Sequence, residues 1–321
     1  MKLNEIKKIA VIGLGTMGPG LAESFAQAGY QVTGYDQNPS VAAHCGKVIE
    51  AILETMTEFK LISREEAKAA LANVEFADSL EGAVRHAHII IEAVSENRAT
   101  KKAVFEEIDR CAPAGSMIWS NTSTLNIYEL IPSTRAHDTI IAHWFAPPHI
   151  LPLVEVVKGP ETLPSTVETS LEVLKKLGKM PIVLEKYVPG FIINRLQRIL
   201  GREIFFLLDG GYVSPQDLDL AAKASIAPRM MVLGLVQRYD FTGLDLSARN
   251  LLDENFFDPP IDNEPAALHS KIARGDLGVK TGKGFYDYTG REITEVLKAR
   301  DHYLLKVMQS LRFCLDRERI V

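Results

Sequence analysis

Cysteine is scarce in this chain, and its scarcity excludes a fold held together by disulfides. The 321 residues contain three cysteines, Cys45, Cys111 and Cys314, which are far apart. Their spacing matches neither a disulfide framework nor a structural zinc site, so we expect reduced thiols and no metal. The first eight residues also lack the apolar stretch of a signal peptide, so we expect a cytoplasmic protein.

Long apolar runs and an excess of positive charge are missing as well. No stretch has the apolar length needed to cross a bilayer, and the formal net charge of −5 argues against non-specific binding to nucleic acid. We therefore expect neither a membrane nor a nucleic-acid partner. What is present is an ordinary globular composition, 46% hydrophobic and 24% charged, in a chain long enough for two domains.

The first half of the chain alternates short β-branched runs with helical stretches, which is typical of a parallel sheet with crossover helices. Helices are predicted at 17–28 and from Ser40 to about Asn73, the latter with a break where Ser63 can cap a new helix. Strands are predicted at 8–13, 31–35, 74–76, 88–94, 117–120, 140–145, 153–157 and 181–184.

A glycine-rich turn connects the first predicted strand to the first helix. It reads Gly13-Leu14-Gly15-Thr16-Met17-Gly18, and the next strand ends at Asp36. In such a turn the first glycine allows the bend, the second admits a pyrophosphate, and the third lets the helix pack on the strand. Asp36 would bind ribose hydroxyls and repel the extra phosphate of NADP. The pattern predicts NAD and a Rossmann-type doubly wound parallel sheet, against the alternative of a glycine turn without a ligand.

The sequence changes character after Val188-Pro189-Gly190 and becomes helical in period. We place the domain boundary at this point, with a Rossmann-type NAD-binding α/β domain at residues 1–188 and an all-helical C-terminal domain at 189–321. An apolar stripe at the start of the helical domain is either core or a subunit interface. It comprises Phe191, Ile192, Leu196, Ile199, Leu200, Ile204 and Leu207.

A histidine, a proline-rich turn and a glutamate form a second informative segment, from His143 to Glu155. The two residues lie in successive predicted strands, which can place them side by side. A carboxylate bonded to one imidazole nitrogen fixes the tautomer and raises the basicity of the other nitrogen. The pair could then take a proton from a substrate hydroxyl while hydride leaves to nicotinamide. On spacing alone, a structural histidine is the favoured alternative.

Further motifs extend over nearly the whole chain. They are Ile12–Gly18, Glu92–Asn97, Ser120–Ser123, His143–Glu155, Pro189–Arg195 and Gly278–Tyr286. In this order they resemble the 3-hydroxyacyl-CoA dehydrogenase family. The resemblance implies NAD-dependent oxidation of a secondary alcohol to a ketone, without a metal, by an enzyme whose helical domain binds substrate and forms a homodimer.

The resemblance also assigns catalytic roles. His143 matches the base and Glu155 the carboxylate that orients it, while Ser123 and Asn194 match the residues that hold the substrate oxygen. Without the family, a helix cap before Leu125 would explain Ser123, and a hydrogen bond to local backbone would explain Asn194.

A second group of residues is expected to bind the cofactor. Three of them match positions that line its nicotinamide half, namely Ala93, Glu96 and Lys101. The complete expected set is Gly13, Gly15, Thr16, Met17, Gly18, Asp36, Ala93, Glu96 and Lys101.

The sequence departs from acyl-CoA members of the family in the residues that would contact the substrate. Ala146 stands where they usually carry asparagine. The helical region Glu50–Lys60 has three glutamates and one lysine, which is a poor surface for the phosphates of CoA. The stretch Ser225–Gly234 replaces a turn rich in glycine and proline, and its Arg229 could clamp a substrate carboxylate. A surface arginine or an interdomain salt bridge is the alternative for Arg229.

These departures favour a small hydroxy acid as substrate over a 3-hydroxyacyl-CoA. They are closer to the branch of the family that includes L-gulonate 3-dehydrogenase, carnitine dehydrogenase and a pyridine-carboxylate dehydrogenase. A catalytically silent, NAD-binding structural member of the family, similar to a lens crystallin, is the alternative. The presence of His143, Glu155, Ser123 and Asn194 argues against it.

Overall fold

The protein is represented by a computed structural model that describes residues 1–254 and 257–315. It divides into two compact units, of which the first spans Met1–Arg195 and the second begins at Leu196. The first unit contains one sheet of eight strands. These are β1 (Lys8–Ile12), β2 (Gln31–Tyr35), β3 (Val74–Phe76), β4 (Ile89–Glu92), β5 (Met117–Ser120), β6 (Thr139–Trp144), β7 (Leu153–Lys158) and β8 (Met180–Leu184).

The strand order is β3-β2-β1-β4-β5-β6-β7-β8, and every neighbouring pair is parallel except β6 and β7. This confirms the predicted doubly wound α/β sheet. The antiparallel pair corrects the expectation of an entirely parallel sheet. Only residues 145–152 connect β6 to β7, which is too short for the crossover that a parallel pair needs.

Helices pack on the sheet of the first unit, and their ends follow local capping signals. Ser63 accepts a hydrogen bond from Glu66 N–H at 3.1 Å while the Glu66 carboxylate accepts one from Ser63 N–H at 2.7 Å, so the predicted break with a cap at Ser63 is confirmed. No helix was predicted specifically at 80–84, 98–111 or 164–176. The helices are α1 (Gly18–Gln27), α2 (Pro39–Glu58), α3 (Arg64–Ala72), α4 (Leu80–Val84), α5 (Arg98–Cys111) and α6 (Pro164–Lys176).

Two buried apolar clusters cover the two faces of the sheet. Ile89 and Ile91 of β4 belong to one cluster, together with Phe25 of α1, and Ile90 belongs to the other, together with Phe105 of α5. Side chains alternate between faces along a strand, so a strand buried on both sides needs apolar residues at successive positions. This explains the continuous run Ile89-Ile90-Ile91.

Helix α7 (Ile193–Asp209) begins in the first unit and continues into the second, which is helical as predicted. No helix among residues 1–254 and 257–315 is both long and apolar enough to span a membrane. The remaining helices are α8 (Pro215–Ala221), a π-helical stretch (Ala222–Ile226), α9 (Ala227–Leu233), α10 (Gln237–Thr242), α11 (Leu244–Asn250), α12 (Ala266–Ala273) and α13 (Ile293–Leu311).

Candidate active site

The candidate site lies at the carboxyl ends of the parallel strands, where doubly wound sheets bind their ligands. The glycine turn follows β1, Ala93 follows β4 and Asn121 follows β5. His143 is the fifth residue of β6, which runs parallel to β5. The topology therefore brings residues from distant parts of the sequence to one edge of the sheet.

The three glycines of the turn meet different surroundings. A Cβ added to Gly13 would lie 2.6 Å from the carbonyl oxygen of Ala93, and one added to Gly18 would collide with the carbonyl oxygen of Gly13. A Cβ on Gly15 would meet nothing within 4 Å. Gly13 and Gly18 are thus required for packing, while Gly15 borders open space at the beginning of α1. This arrangement fits a pyrophosphate beside Gly15 and the free N–H groups at the N-terminus of α1.

The carboxylate of Asp36 connects the end of β2 to the glycine turn. Its Oδ2 accepts a hydrogen bond from Leu14 N–H at 2.9 Å, and its Oδ1 accepts one from Asn38 N–H at 2.9 Å. Each carboxylate oxygen can accept a second hydrogen bond. The half-buried carboxylate therefore keeps acceptor capacity for ribose hydroxyls and would repel a phosphate.

His143 and Glu155 face each other across the antiparallel pair β6–β7. Nδ1 of His143 lies 2.7 Å from Oε2 of Glu155, and the two residues are 4% and 0% exposed. Nε2 of His143 makes no hydrogen bond to the described part of the chain. If Nδ1 donates to the carboxylate, Nε2 is left unprotonated and able to act as a base. The predicted juxtaposition of these two residues is present in the structure.

The turn before α7 completes the surroundings of this pair. Gly190 and Phe191 have positive φ angles of 77° and 50°. They bring the N–H groups of Ile192 and Ile193 to Oε1 of Glu155, at 2.9 and 3.0 Å. The Phe191 ring packs with its centroid 5.2 Å from that of His143. Both oxygens of the Glu155 carboxylate are therefore hydrogen-bonded.

Ser123 and Asn194 are also brought together. Nδ2 of Asn194 donates to the carbonyl oxygen of Ser123 at 3.2 Å, so its bond is to backbone far away in the sequence and not to local backbone. Within residues 1–254 and 257–315, Oγ of Ser123 makes no hydrogen bond. Leu125 N–H bonds to Thr122 Oγ1 at 3.1 Å, so Ser123 does not provide the cap that was its alternative explanation.

Glu96 and Lys101 have protein partners. Lys101 is 1% exposed, and its Nζ lies 2.7 Å from Oε1 of Glu92 and 3.4 Å from Oε2 of Glu96. Burial raises the pKa of Glu96, but hydrogen bonds from Thr122 and the following backbone and the charge of Lys101 outweigh it, so that the pKa lies below its usual range. The Glu96 carboxylate is therefore ionised at neutral pH.

Arg229 lies in the second unit, on helix α9, and is exposed. Its Nε and Nη2 atoms donate to the carbonyl oxygen and Oγ of Ser225, at 3.1 and 3.0 Å, across the end of the π-helical stretch. Within its own unit, Arg229 is therefore held by local hydrogen bonds to Ser225. The guanidinium keeps further donors for an anion.

Sequence reasoning missed several residues that organise this edge of the sheet. Oδ1 of Asn121 accepts from Trp144 N–H at 2.9 Å, next to His143. Glu92 is fully buried and pairs with Lys101. An acid at the end of an all-apolar strand was a signal for Glu92, because a buried carboxylate requires a partner.

A doubly wound sheet with a glycine turn, an acid after the second strand and a histidine–carboxylate pair defines a dinucleotide-dependent dehydrogenase. Residues 8–187 match the family model described as 3-hydroxyacyl-CoA dehydrogenase, NAD binding domain, and residues 190–288 match the model of its C-terminal domain. The chain belongs to the 3-hydroxyacyl-CoA dehydrogenase family. It is an NAD-dependent oxidoreductase of that family, and NAD is its cofactor.

Individual relatives cover nearly the whole chain. The chain is 33% identical to 5-formyl-3-hydroxy-2-methylpyridine 4-carboxylate 5-dehydrogenase of Mesorhizobium japonicum, over 95% of this chain and 98% of that protein. A solved structure of an enzyme of that activity, described as an NAD+-dependent dismutase, aligns with a TM-score of 0.85 at 32% identity, over 96% of this chain and 99% of the other. A probable 3-hydroxybutyryl-CoA dehydrogenase of Bacillus subtilis is 34% identical, over 88% of this chain and 98% of that protein.

Proposed function

We propose that the protein oxidises the secondary hydroxyl group of a small 3-hydroxy acid to a ketone, with His143 as general base. The observation that carries this proposal is the buried contact of 2.7 Å between His143 Nδ1 and Glu155 Oε2, with Nε2 left to the substrate. Bound NAD supplies the hydride acceptor. The residues proposed to hold it are the glycine turn from Gly13 to Gly18 and Asp36, with Ala93, Glu96 and Lys101 near its nicotinamide half.

Four residues of the protein would have separate roles toward the substrate. His143 Nε2 would take the hydroxyl proton, and the Glu155 carboxylate would stabilise the imidazolium that forms. Oγ of Ser123, which has no hydrogen bond to the described chain, and the side chain of Asn194 would hold the substrate oxygen. His143→Gln should abolish turnover and leave NAD binding intact; near-normal turnover would contradict the proposal.

The choice of a small acid over a CoA thioester is supported by a groove of about 620 Å³ between α2 and α3. Three glutamates of α2, at positions 50, 54 and 58, line it opposite Arg64 and Lys68 of α3. They are spaced four residues apart, so they share one helix face. Among the described residues, the carboxylates that line this groove outnumber the cations, which disfavours binding of the CoA phosphates there.

Arg229 is proposed to bind the substrate carboxylate with paired hydrogen bonds. A panel of substrates, monitored by NADH absorbance, tests the substrate class by comparing 3-hydroxybutyryl-CoA with free 3-hydroxy acids, gulonate, carnitine and 5-formyl-3-hydroxy-2-methylpyridine 4-carboxylate. Arg229→Met should raise the KM for an acid far more than for its amide. Turnover of the CoA thioester alone would overturn the choice of a small acid and leave the dehydrogenase mechanism standing.

A homodimer in the cytoplasm is the proposed working form. Several apolar side chains of the predicted stripe are exposed, including Ile199 at 63% and Leu200 at 51%. An exposed apolar stripe of this kind marks an interaction surface, which a second copy of the helical domain would cover. The cysteines are unpaired, which suits a reducing compartment.

A further inference from the structure

One oxygen of the Glu96 carboxylate binds an entire loop. We define the Ser123 loop as residues 121–125, which follow β5. Oε1 of Glu96 accepts from the N–H groups of Ser123, Thr124 and Leu125, at 2.9, 2.8 and 3.3 Å. It also accepts from the hydroxyls of Thr122 and Thr124, at 2.8 and 3.1 Å. Successive N–H groups that converge on one point form a concave site that favours an anion.

The other oxygen of Glu96 is held by a buried charge. Oε2 lies 3.4 Å from Nζ of Lys101, which also lies 2.7 Å from Oε1 of Glu92 and donates to the carbonyl oxygen of Val94 at 3.3 Å. The second oxygen of Glu92 accepts from Ser120 Oγ at 2.5 Å. A buried ion pair requires such complete hydrogen bonding to offset the cost of desolvation. Glu96 is thereby tied to the ends of both β4 and β5.

The Ser123 loop also contacts the first turn of α7 and strand β6. The carbonyl oxygen of Ser123 accepts from Asn194, and Oδ1 of Asn121 accepts from Trp144 N–H, one residue after His143. The loop thus lies between Glu96 and the strand that carries His143. Oγ of Ser123 has no hydrogen-bond partner in residues 1–254 and 257–315, so the backbone of the loop determines where it lies.

We infer that Glu96 is a positioning residue for the reaction, whose carboxylate fixes the Ser123 loop and so orients Ser123 Oγ toward the substrate oxygen. This inference rests on the proposed function, in which Ser123 holds that oxygen. It gives Glu96 a role beside its expected place near the nicotinamide half of NAD. Both of its carboxylate oxygens are engaged by the protein, so little of the NAD affinity should depend on Glu96. A residue that acts on the cofactor changes NAD affinity, whereas one that acts through Ser123 changes turnover.

A double-mutant cycle separates these two roles. The variants are Glu96→Gln, Ser123→Ala and the double variant, with Glu106→Gln as a control. Glu106 is an exposed residue of α5, and its Oε1 lies 3.8 Å from Nζ of Lys102. We expect Glu96→Gln to lower kcat by about tenfold or more, which corresponds to about 1.4 kcal/mol. The Kd for NADH, measured by fluorescence, should stay within about twofold of wild type, since a factor of two is only about 0.4 kcal/mol.

The inference requires that Glu96→Gln cause little further loss of kcat in the Ser123→Ala background. Equal losses in both backgrounds would overturn it, because Glu96 would then act independently of Ser123. A rise in the NADH Kd that accounts for the whole loss of kcat/KM would also overturn it in favour of a cofactor contact. If Ser123→Ala itself retains full activity, the proposed role of Ser123 fails, and the inference fails with it.

A milder variant covers the case in which Glu96→Gln does not fold. Thr124→Val removes one hydroxyl bond to Glu96, on an exposed residue, and keeps the side-chain shape. It should lower kcat in the same direction by a smaller factor, again with unchanged NADH affinity and again without additivity to Ser123→Ala. A wild-type kcat in Thr124→Val, with the protein folded by circular dichroism, would count against the inference.

Discussion

Replacing Glu155 by glutamine should inactivate the base by fixing the wrong tautomer of His143. Oε1 of Glu155 accepts from Ile192 N–H at 2.9 Å and Ile193 N–H at 3.0 Å, while Oε2 lies 2.7 Å from His143 Nδ1. A glutamine must direct its carbonyl oxygen to the two N–H donors, because its amide group would otherwise oppose them. The NH2 group then faces Nδ1, which must be unprotonated to accept its hydrogen bond. The ring proton is consequently on Nε2, where it blocks the proton transfer.

The expected magnitude follows from the loss of general base catalysis. A positioned base contributes roughly 10²- to 10⁴-fold, and the equivalent change from carboxylate to amide in a serine protease triad costs about 10⁴ in kcat. We therefore expect kcat to fall by about 10² to 10⁴, or about 3 to 5 kcal/mol at 1.36 kcal/mol per tenfold. The Kd for NADH should be unchanged, since Glu155 lies outside the glycine turn.

Two measurements check this prediction. The kcat of Glu155→Gln is compared with wild type by NADH absorbance, and the His143 tautomer is read from its imidazole ¹⁵N chemical shifts. Glu172→Gln makes the same change at an exposed position of α6 and serves as the control. A kcat within about threefold of wild type would refute the reasoning, because that is below about 0.7 kcal/mol. A protonated His143 Nδ1 in a variant with a large loss of activity would also refute the reasoning, because the loss would then have another cause.

Three further changes probe the cofactor site, the buried acid of α1 and the apolar stripe. Gly15→Ala adds a Cβ into the open space proposed for the pyrophosphate, so the melting temperature should stay the same. The affinity for NADH should fall by at least about tenfold, a loss of about 1.4 kcal/mol. Unchanged affinity would exclude a pyrophosphate beside Gly15. Burial raises the pKa of Glu23 from 4.5 to about 7, so this group contributes stability below pH 4.5 that is lost as pH rises to about 7. Urea titrations should show that the unfolding free energy of wild type falls by about 3 kcal/mol over that interval relative to that of Glu23→Gln. If the unfolding free energies of the two proteins change with pH in parallel, the prediction is contradicted. Ile199→Asp should convert the proposed dimer into a monomer in analytical ultracentrifugation, and an unchanged mass would show that Ile199 is not at the interface.

Local patterns were sufficient to predict most of the sheet. The strands Val74–Phe76 and Met117–Ser120 match the predicted bounds, because β-branched or aromatic runs there are bounded by clear turns. Pairing direction depends on the length of a connection and on how it packs, which is why the antiparallel β7 was not predicted. Helices α4, α5 and α6 were not specified from the sequence either, and for α4 five residues provide too little helical period to recognise.

The pairing of His143 with Glu155 could be anticipated from two successive strands, but the bonds that hold the pair could not. The N–H groups that bind Glu155 come from residues 192 and 193, and they reach it only because Gly190 and Phe191 both adopt positive φ. A bulky residue rarely adopts this conformation, so no propensity argument predicts it. The burial of Lys101 is likewise a product of tertiary packing, because a lysine on an amphipathic helix would ordinarily be placed on the exposed face.

The short segment from Gly190 to Asn194 connects several parts of the candidate site. Gly190 permits the turn, the Phe191 ring packs against His143, and the next two N–H groups bind Glu155. Asn194 then binds the carbonyl oxygen of Ser123. The four consecutive residues 191–194 therefore contact the proposed base, its carboxylate and the loop that carries the proposed oxygen-binding serine. Since α7 begins within this segment, any displacement of its first turn would change the hydrogen bonds to both Glu155 and the Ser123 loop.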